Sequence, residues 1–533
     1  MTKQGNRRLT PCVAFGFHGQ EITIWQWVRT PFFVMVAAWL LIGTVPLSVT
    51  PAAAADPSQP VKTIFEPAKV PDLEKIPAAG ISRNFRLIAH TNLGRAGADV
   101  NGNGLGFAGK CIYIGNRSDS GGVLILDAKT LEKIGELDKV TGSNSQEHRT
   151  VNDGLNLLVV MGFSRKGTEG VNILQLWDTS NCQNPLLKST FDYGAGKPHE
   201  FFLWRDPNNL KRVLVYQTIS GENSPGAEQP NLRVIDVSNK VAPKLVATFD
   251  LRDFGVPRKE EPSEENAFKS QDNRLHSLSV SDDGKRVYLA QYDAGFLILD
   301  STPLANSATA ASCALSHLKK KNPCLKMVNP DPTARLDFKP PGPGKTHSAV
   351  KVPGKDLVIL THEFFRSKEC PWGWVRIVDV RNELQPKQIS TFLLHENLEE
   401  NCSTVGPIAI ATRSDFTSHN PIPLRNLLLL SWRGAGLRAI DISNPFTPHE
   451  AGFYFPKTSV RTDKFAGSLA PIKMVSFPVI KDGLIYVVDR FNGLFILKYE
   501  GPFREEVDAI VGPCQGSASP VLDIGDLNGT CSP

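Results

Sequence analysis

Apolar residues in this chain come in short runs, each closed by a polar residue and a turn, and the runs recur across most of its length. One phrase repeats: an apolar strand ending in Asp, a turn rich in Ser, Asn or Pro, then a second apolar strand. It reads GGVLILDAKTLEKIGEL at Asp127, NILQLWDTSNCQNPLLKSTF at Asp178 and LRVIDVSNKVAPKLVATF at Asp236. It continues as GFLILDSTPLAN at Asp300, VRIVDVRNELQPKQISTF at Asp379 and LRAIDISNPFTPHEAGFY at Asp441. A seventh copy, GLFILKYEG, has Lys498 in place of the Asp.

Each copy follows another pair of strands, as in LHSLSVSDDGKRVYLAQYDAG (Leu275 to Gly295) and THSAVKVPGKDLVILTHEFF (Thr346 to Phe365). Asp-Gly or Pro-Gly supplies the turn inside that pair. The unit is therefore four strands, A to D, and a unit of this size must stack on copies of itself to bury its faces. The pattern predicts an all-β protein, a β-propeller of seven four-stranded blades. Insertions at 244–275 and 300–345 leave room for a degenerate eighth. The repeated Asp has a structural role, accepting backbone N–H bonds in the C–D turn.

The seventh unit, Ala470 to Gly501, ends after strand C, whereas Ser82 to Leu93 reads as a strand D ahead of blade one. Pairing of the two would close the ring with an N-terminal strand and leave no open edge. The propeller is accordingly set at 82–501, with a tail at 502–533.

Composition sharpens this reading. Of 533 residues 43 are Gly and 39 Pro, spread between the apolar runs, which is what many turns require. The net charge is only +5 and the longest basic block is Lys319 to Lys321, which excludes nucleic acid as an expected partner. Arg29, the apolar run Phe32 to Val49 and the small residues up to Ala55 predict a signal peptide over 1–55, cut before Asp56. The alternative is an uncleaved anchor, which would be the one route to a membrane; Gly43 and Pro46 interrupt it. Residues 56–81 read as a Pro-rich linker. The expected location is periplasmic or secreted.

Cysteine usage fits export, since eight of the nine Cys lie beyond the leader. The strand placement pairs Cys370 with Cys402, Cys313 with Cys324 and Cys514 with Cys531. Cys111 either pairs with Cys182 or is a buried free thiol.

The repeated phrases resemble those of the LVIVD-repeat family of bacterial β-propellers over almost all of 82–500. That resemblance implies the fold and says almost nothing about activity, because propellers host many functions.

Histidine recurs where strand A meets the channel mouth: His148, His199, His276 and His347, with His362 at the end of strand B beside Glu363. Neutral imidazole is the commonest metal ligand, so a transition metal ion is the candidate cofactor. Carotenoid oxygenases and selenium-binding proteins are propellers similar in having channel histidines. In the LVIVD family, however, a histidine here resembles part of the repeat itself, which implies packing. Arg117, Arg149, Arg165, Arg274, Arg433 and Arg490 are expected at the same mouth, balanced by Glu200, Asp293, Glu363 and Asp489. They would either grip a small anionic ligand or an acidic protein, or hold loops together by pairing with those carboxylates.

No Walker loop, GxSxG elbow or CxxC pair is present, and five Met exclude a Met-rich copper surface. Two function classes remain. One is a binding module working through its His/Arg-lined funnel; the other is a metal-dependent oxidoreductase with a His-ligated ion in the channel.

Overall fold

A computed structural model describes residues 68–510 except 100, 118–121, 139, 141–143, 152–154, 164–170, 223–228, 257–258, 261–270, 314–321, 329–344, 365–369, 406–414 and 463–465. The side chains of 144–147, 149–151, 222, 259–260, 271 and 311 also lie outside the described set. The leader, Arg165, the Arg149 side chain, Cys514 and Cys531 therefore fall outside it. Among the described residues no helix is long and apolar enough to cross a membrane.

Seven four-stranded antiparallel blades form a ring. Their innermost strands are Asn101–Ala108, Asn144–Val151, Gly196–Arg205, Ser277–Val280, Lys345–Lys351, Ser418–Pro423 and Val479–Lys481. No eighth blade occupies the insertions among the described residues. The first holds the outer strand of blade three, Lys244–Phe249; the second holds two short helices and the outer strand of blade four, Lys326–Met327.

Burial explains the run-like hydrophobic pattern. Each blade packs on a neighbour through both faces, so strands such as Leu157–Phe163, Leu357–Glu363 and Leu427–Trp432 are buried at every residue. Outer strands such as Leu186–Asp192 lack that cover and are largely exposed. The core is correspondingly split into seven clusters, one between each pair of adjacent blades. One of these joins the last blade to the first, with Tyr486, Val488 and Ile496 packed against Leu105, Phe107 and Ile112.

The repeated Asp acts as an Asx-turn acceptor in six blades. Its Oδ1 takes the backbone N–H of Lys129 at Asp127, Ser180 at Asp178 and Ser238 at Asp236. The same bond comes from Thr302 at Asp300, Arg381 at Asp379 and Ser443 at Asp441. The bond turns the chain from strand C to strand D, which is why Asp was retained in the phrase.

The N-terminal segment spans two blades. Ile81–Arg83 pairs with His449–Phe455 as a fifth strand of blade six. Asn84, at φ +59°, then turns the chain in a left-handed conformation that Asn tolerates. Phe85–Thr91 pairs with Gly493–Tyr499 as the outer strand of blade seven. Upstream, the Ala68 and Val70 amides donate to the Glu450 and Glu396 carboxylates, and Ile76 is buried in the core between blades five and six. At the other end Val507 and Ile510 enter the core between blades six and seven.

Cys111–Cys182, Cys313–Cys324 and Cys370–Cys402 are disulfides. Cys111 is thus bonded, joining blade one to the C–D turn of blade two. The pairs point to an oxidising, periplasmic or extracellular environment.

Candidate metal centre in the channel

The innermost strands lie nearest the axis, so side chains at equivalent positions of neighbouring blades touch there. His199, His276, His347 and His419, from blades three to six, do so in a row. Their ring centroids are 4.3, 4.0 and 4.2 Å apart along the series. His199 Nε2 is 2.7 Å from His276 Nε2. Beside the row stands Glu363, at the end of the second strand of blade five and 2% exposed. Its Oε2 is 3.4 Å from His347 Nε2 and 3.9 Å from His276 Nε2, and its Oε1 is 3.4 Å from His419 Nε2. Arg433 donates to the same carboxylate and reaches Asp415 at 2.9 Å with its other amino group.

Neighbours fix how the rings face. His276 Nδ1–H donates to the His347 carbonyl at 3.2 Å. His347 Nδ1–H donates to Ser348 Oγ at 2.8 Å, whose own hydroxyl is directed at Asn420 Oδ1. In the tautomer with the proton on Nδ1, the Nε2 atoms are free to act as ligands on the Glu363 side.

The electrostatics keep the rings neutral. Burial pushes the His276 and His347 imidazoles well below their ordinary range, takes His199 down to about 3 and lowers His419. Glu363 is opposed by burial, but His347, Arg433 and His419 hold its carboxyl well below the usual carboxylate range.

This donor set fits a transition metal. Imidazole nitrogens and a carboxylate are ligands of first-row ions, which bind at about 2.0–2.2 Å, so two cis ligands stand about 3 Å apart. The His199–His276 nitrogen spacing is close to that. His347 Nε2 is buried and makes no hydrogen bond, and the nearby carboxylate oxygen is an acceptor only. Among the described residues two groups bring their ligand atoms within 4.8 Å of one another: His199, Glu200, His276, and His276, His347, Glu363.

The remaining sequence-predicted residues are placed as follows. His148 is buried and its Nε2–H donates to the Tyr113 carbonyl of blade one at 2.9 Å. His362 is buried next to Glu363; its amide donates to the Trp374 carbonyl and its carbonyl accepts from Thr417 and Ser418. Neither belongs to the two ligand groups. Arg117 reaches Asn103 at 3.5 Å. Arg274 chelates Asp272 and donates to the Ser220 carbonyl, and Arg490 pairs with Asp99. Arg433 joins the histidine cluster itself.

Sequence reasoning missed His419. Ser418-His419-Asn420 occupies the place in blade six that Thr346-His347-Ser348 holds in blade five. The signal was present, but Pro421 and Pro423 break the apolar run that marks the other inner strands.

Two segments, 227–251 and 432–455, match the LVIVD repeat. No curated protein matches the chain. Among solved structures it is similar to the computationally designed Ika8 protein, at 9% identity and a TM-score of 0.41, covering 75% of this chain and 96% of that one. It is also similar to Saccharomyces cerevisiae Sqt1, at 8% identity and a TM-score of 0.43, covering 79% of this chain and 100% of that one. The chain is a seven-bladed β-propeller carrying LVIVD repeats.

Proposed function

We propose that this protein is an exported binding module whose recognition element is a first-row transition metal ion held in the propeller channel. His276, His347 and Glu363 would hold the ion, with His199 and His419 flanking them. When bound, the ion supplies a Lewis-acidic position for a ligand that enters by the funnel. The protein's own groups do the rest. The His347 carbonyl and Ser348 orient the rings, Arg433 holds the Glu363 carboxylate, and Asp415 balances Arg433. The half-buried His199 marks the side of the row that is open to solvent.

One observation carries this reading: the buried Nε2 of His347, which makes no hydrogen bond, lies 3.4 Å from an oxygen of the buried Glu363 carboxylate. Both atoms are potential metal ligands, and a cation lodged beside them would coordinate the two together.

Elemental analysis of protein purified from the oxidising compartment tests it. The parent and a His148→Ala control should each hold about one equivalent of a first-row metal. A His276→Ala, His347→Ala variant should hold none. Metal-free parent protein that also takes up no added zinc, copper, iron or manganese overturns the proposal.

A further inference from the structure

The C–D turns of blades three, five and six share one build. An Asn side-chain oxygen accepts the amide two residues on: Asn239 from Val241 at 3.1 Å, Asn382 from Leu384 at 3.2 Å and Asn444 from Phe446 at 3.2 Å. The Asn carbonyl then accepts the next amide, and a proline follows. These bonds hold the intervening residue out at the tip, where Val241 is 64%, Leu384 56% and Phe446 58% exposed. Blade two makes the same two bonds around Asn181 with Gln183 at that position, so the turn itself does not require an apolar tip.

In an antiparallel four-stranded blade the A–B and C–D turns lie on one face of the ring, opposite the channel mouth. Leu210, in the A–B turn of blade three, and Leu186, just after the C–D turn of blade two, are exposed on that same side. The charge beside the tips is of one sign. Lys211, Lys244, Lys387 and Arg425 stand exposed in or next to the turns of blades three, five and six, with no ion-pair partner among the described residues. The acids there are withdrawn: Asp206 and Glu383 are paired with arginines, as is Asp379, and Asp441 is buried. Asp356 is the one acid of these turns that is exposed.

Single exposed apolar residues are ordinary on a protein surface. Here one structural position is apolar in three blades, held out by the same bonds and flanked by unpaired bases. Blade four separates the tips of blades three and five, so they do not merge into the contiguous dry core of a protein interface. A fluid lipid surface accepts separate apolar tips, and the bases beside them meet anionic headgroups.

We propose that this face docks on an anionic lipid surface, with Val241, Leu384 and Phe446 entering the headgroup region. Docking in this way leaves the channel mouth pointing away from the lipid. It is independent of the metal reading, and it needs no leader to reach a membrane.

The experiment is co-sedimentation of the purified protein with vesicles of phosphatidylcholine, alone or mixed with phosphatidylglycerol, beside size-exclusion chromatography without vesicles. The parent should bind the mixed vesicles, and bind phosphatidylcholine alone at least about tenfold more weakly. The combined variant Val241→Ser, Leu384→Ser, Phe446→Ser should bind the mixed vesicles at least about tenfold more weakly than the parent. Val460→Ser removes an exposed apolar residue from the mouth face and should bind as the parent does. Lys244→Gln, Lys387→Gln leaves the tips intact and should reduce the preference for phosphatidylglycerol. A parent that stays in the supernatant, or a triple variant that binds as the parent does, overturns the proposal. Equal binding to both vesicle types, or an unchanged preference in the lysine variant, overturns the anionic lipid class. A vesicle-free dimer that the triple variant dissociates places a second copy on this face and overturns the lipid.

Discussion

His347 Nε2 lies 3.4 Å from Glu363 Oε2, and both side chains are sealed from solvent. Glu363 also anchors Arg433, which is 5% exposed. Replacing the carboxylate therefore strands a guanidinium as well as altering the histidine row. Glu363→Gln should destabilise the fold by about 3 kcal/mol or more, as breaking a buried ion pair does, and should abolish metal uptake. Urea denaturation and elemental analysis read the two effects separately. A variant as stable as the parent would show that Asp415 alone satisfies Arg433.

The buried imidazoles make the fold acid-sensitive. His199 has a folded pKa of about 3, and His276, His347 and His419 are lowered too, whereas unfolded histidine titrates near 6.5. Between those values the unfolded chain binds protons that the folded chain does not. Stability is thus fully present above pH ~6.5 and is lost as pH falls towards ~3. Glu363, depressed in the folded state, adds to the loss at the acid end. Melting temperature measured from pH 7.5 to pH 4 should drop steadily below ~6.5, and a His276→Gln, His347→Gln variant should show a shallower slope. A flat profile in the parent would mean that the row is hydrated and titrates normally.

Deleting Ile81–Thr91 should lower the stability of the whole ring. The strand Gly493–Tyr499 would lose its partner along the register Phe85 to Thr91, exposing backbone N–H and C=O groups. Blade six would lose its fifth strand at the same time. Calorimetry should show one transition at a lower temperature. A milder variant, Phe85→Ala, removes a ring that is 5% exposed and 5.0 Å from Tyr499, and should cost about 3 kcal/mol or more. Unchanged melting of the deletion would place the closing contacts in the apolar cluster between blades seven and one alone.

Peptide mapping without reduction should recover Cys111–Cys182, Cys313–Cys324 and Cys370–Cys402. Their sequence separations are 71, 11 and 32 residues. In the chain-entropy account they stabilise by about 4.4, 2.8 and 3.7 kcal/mol, so Cys182→Ser should be the most damaging single loss. An equal or reversed order in denaturation midpoints would count against that account here.

The sequence by itself determined the blade. Short continuous apolar runs, an Asp placed to cap the C–D turn and short Gly or Pro turns are all local features, and they recur because each unit meets the same neighbour geometry. Strand placement implied Cys313–Cys324 and Cys370–Cys402, since cysteines at known ends of known strands have few partners in reach, but it left Cys111 open between Cys182 and a free thiol, which the fold decides for Cys182. The recurrence of histidine on inner strands was equally legible at His199, His276 and His347.

Which of the channel side chains meet was decided only by tertiary structure. His148 shares the sequence position of the row, yet its ring is turned to the Tyr113 carbonyl of blade one. His419 lies in a Pro-broken strand with no apolar signature, yet it completes the row beside Glu363. Arg274, Arg433 and Arg490 look alike in sequence, but one chelates its neighbour, one spans two buried carboxylates and one pairs with a residue from the opposite end of the chain. A repeat encodes backbone pairing and inter-blade packing, which need only nearest neighbours. The site is made where several blades converge on one axis, and there the partner of each polar group depends on residues dozens to hundreds of positions away.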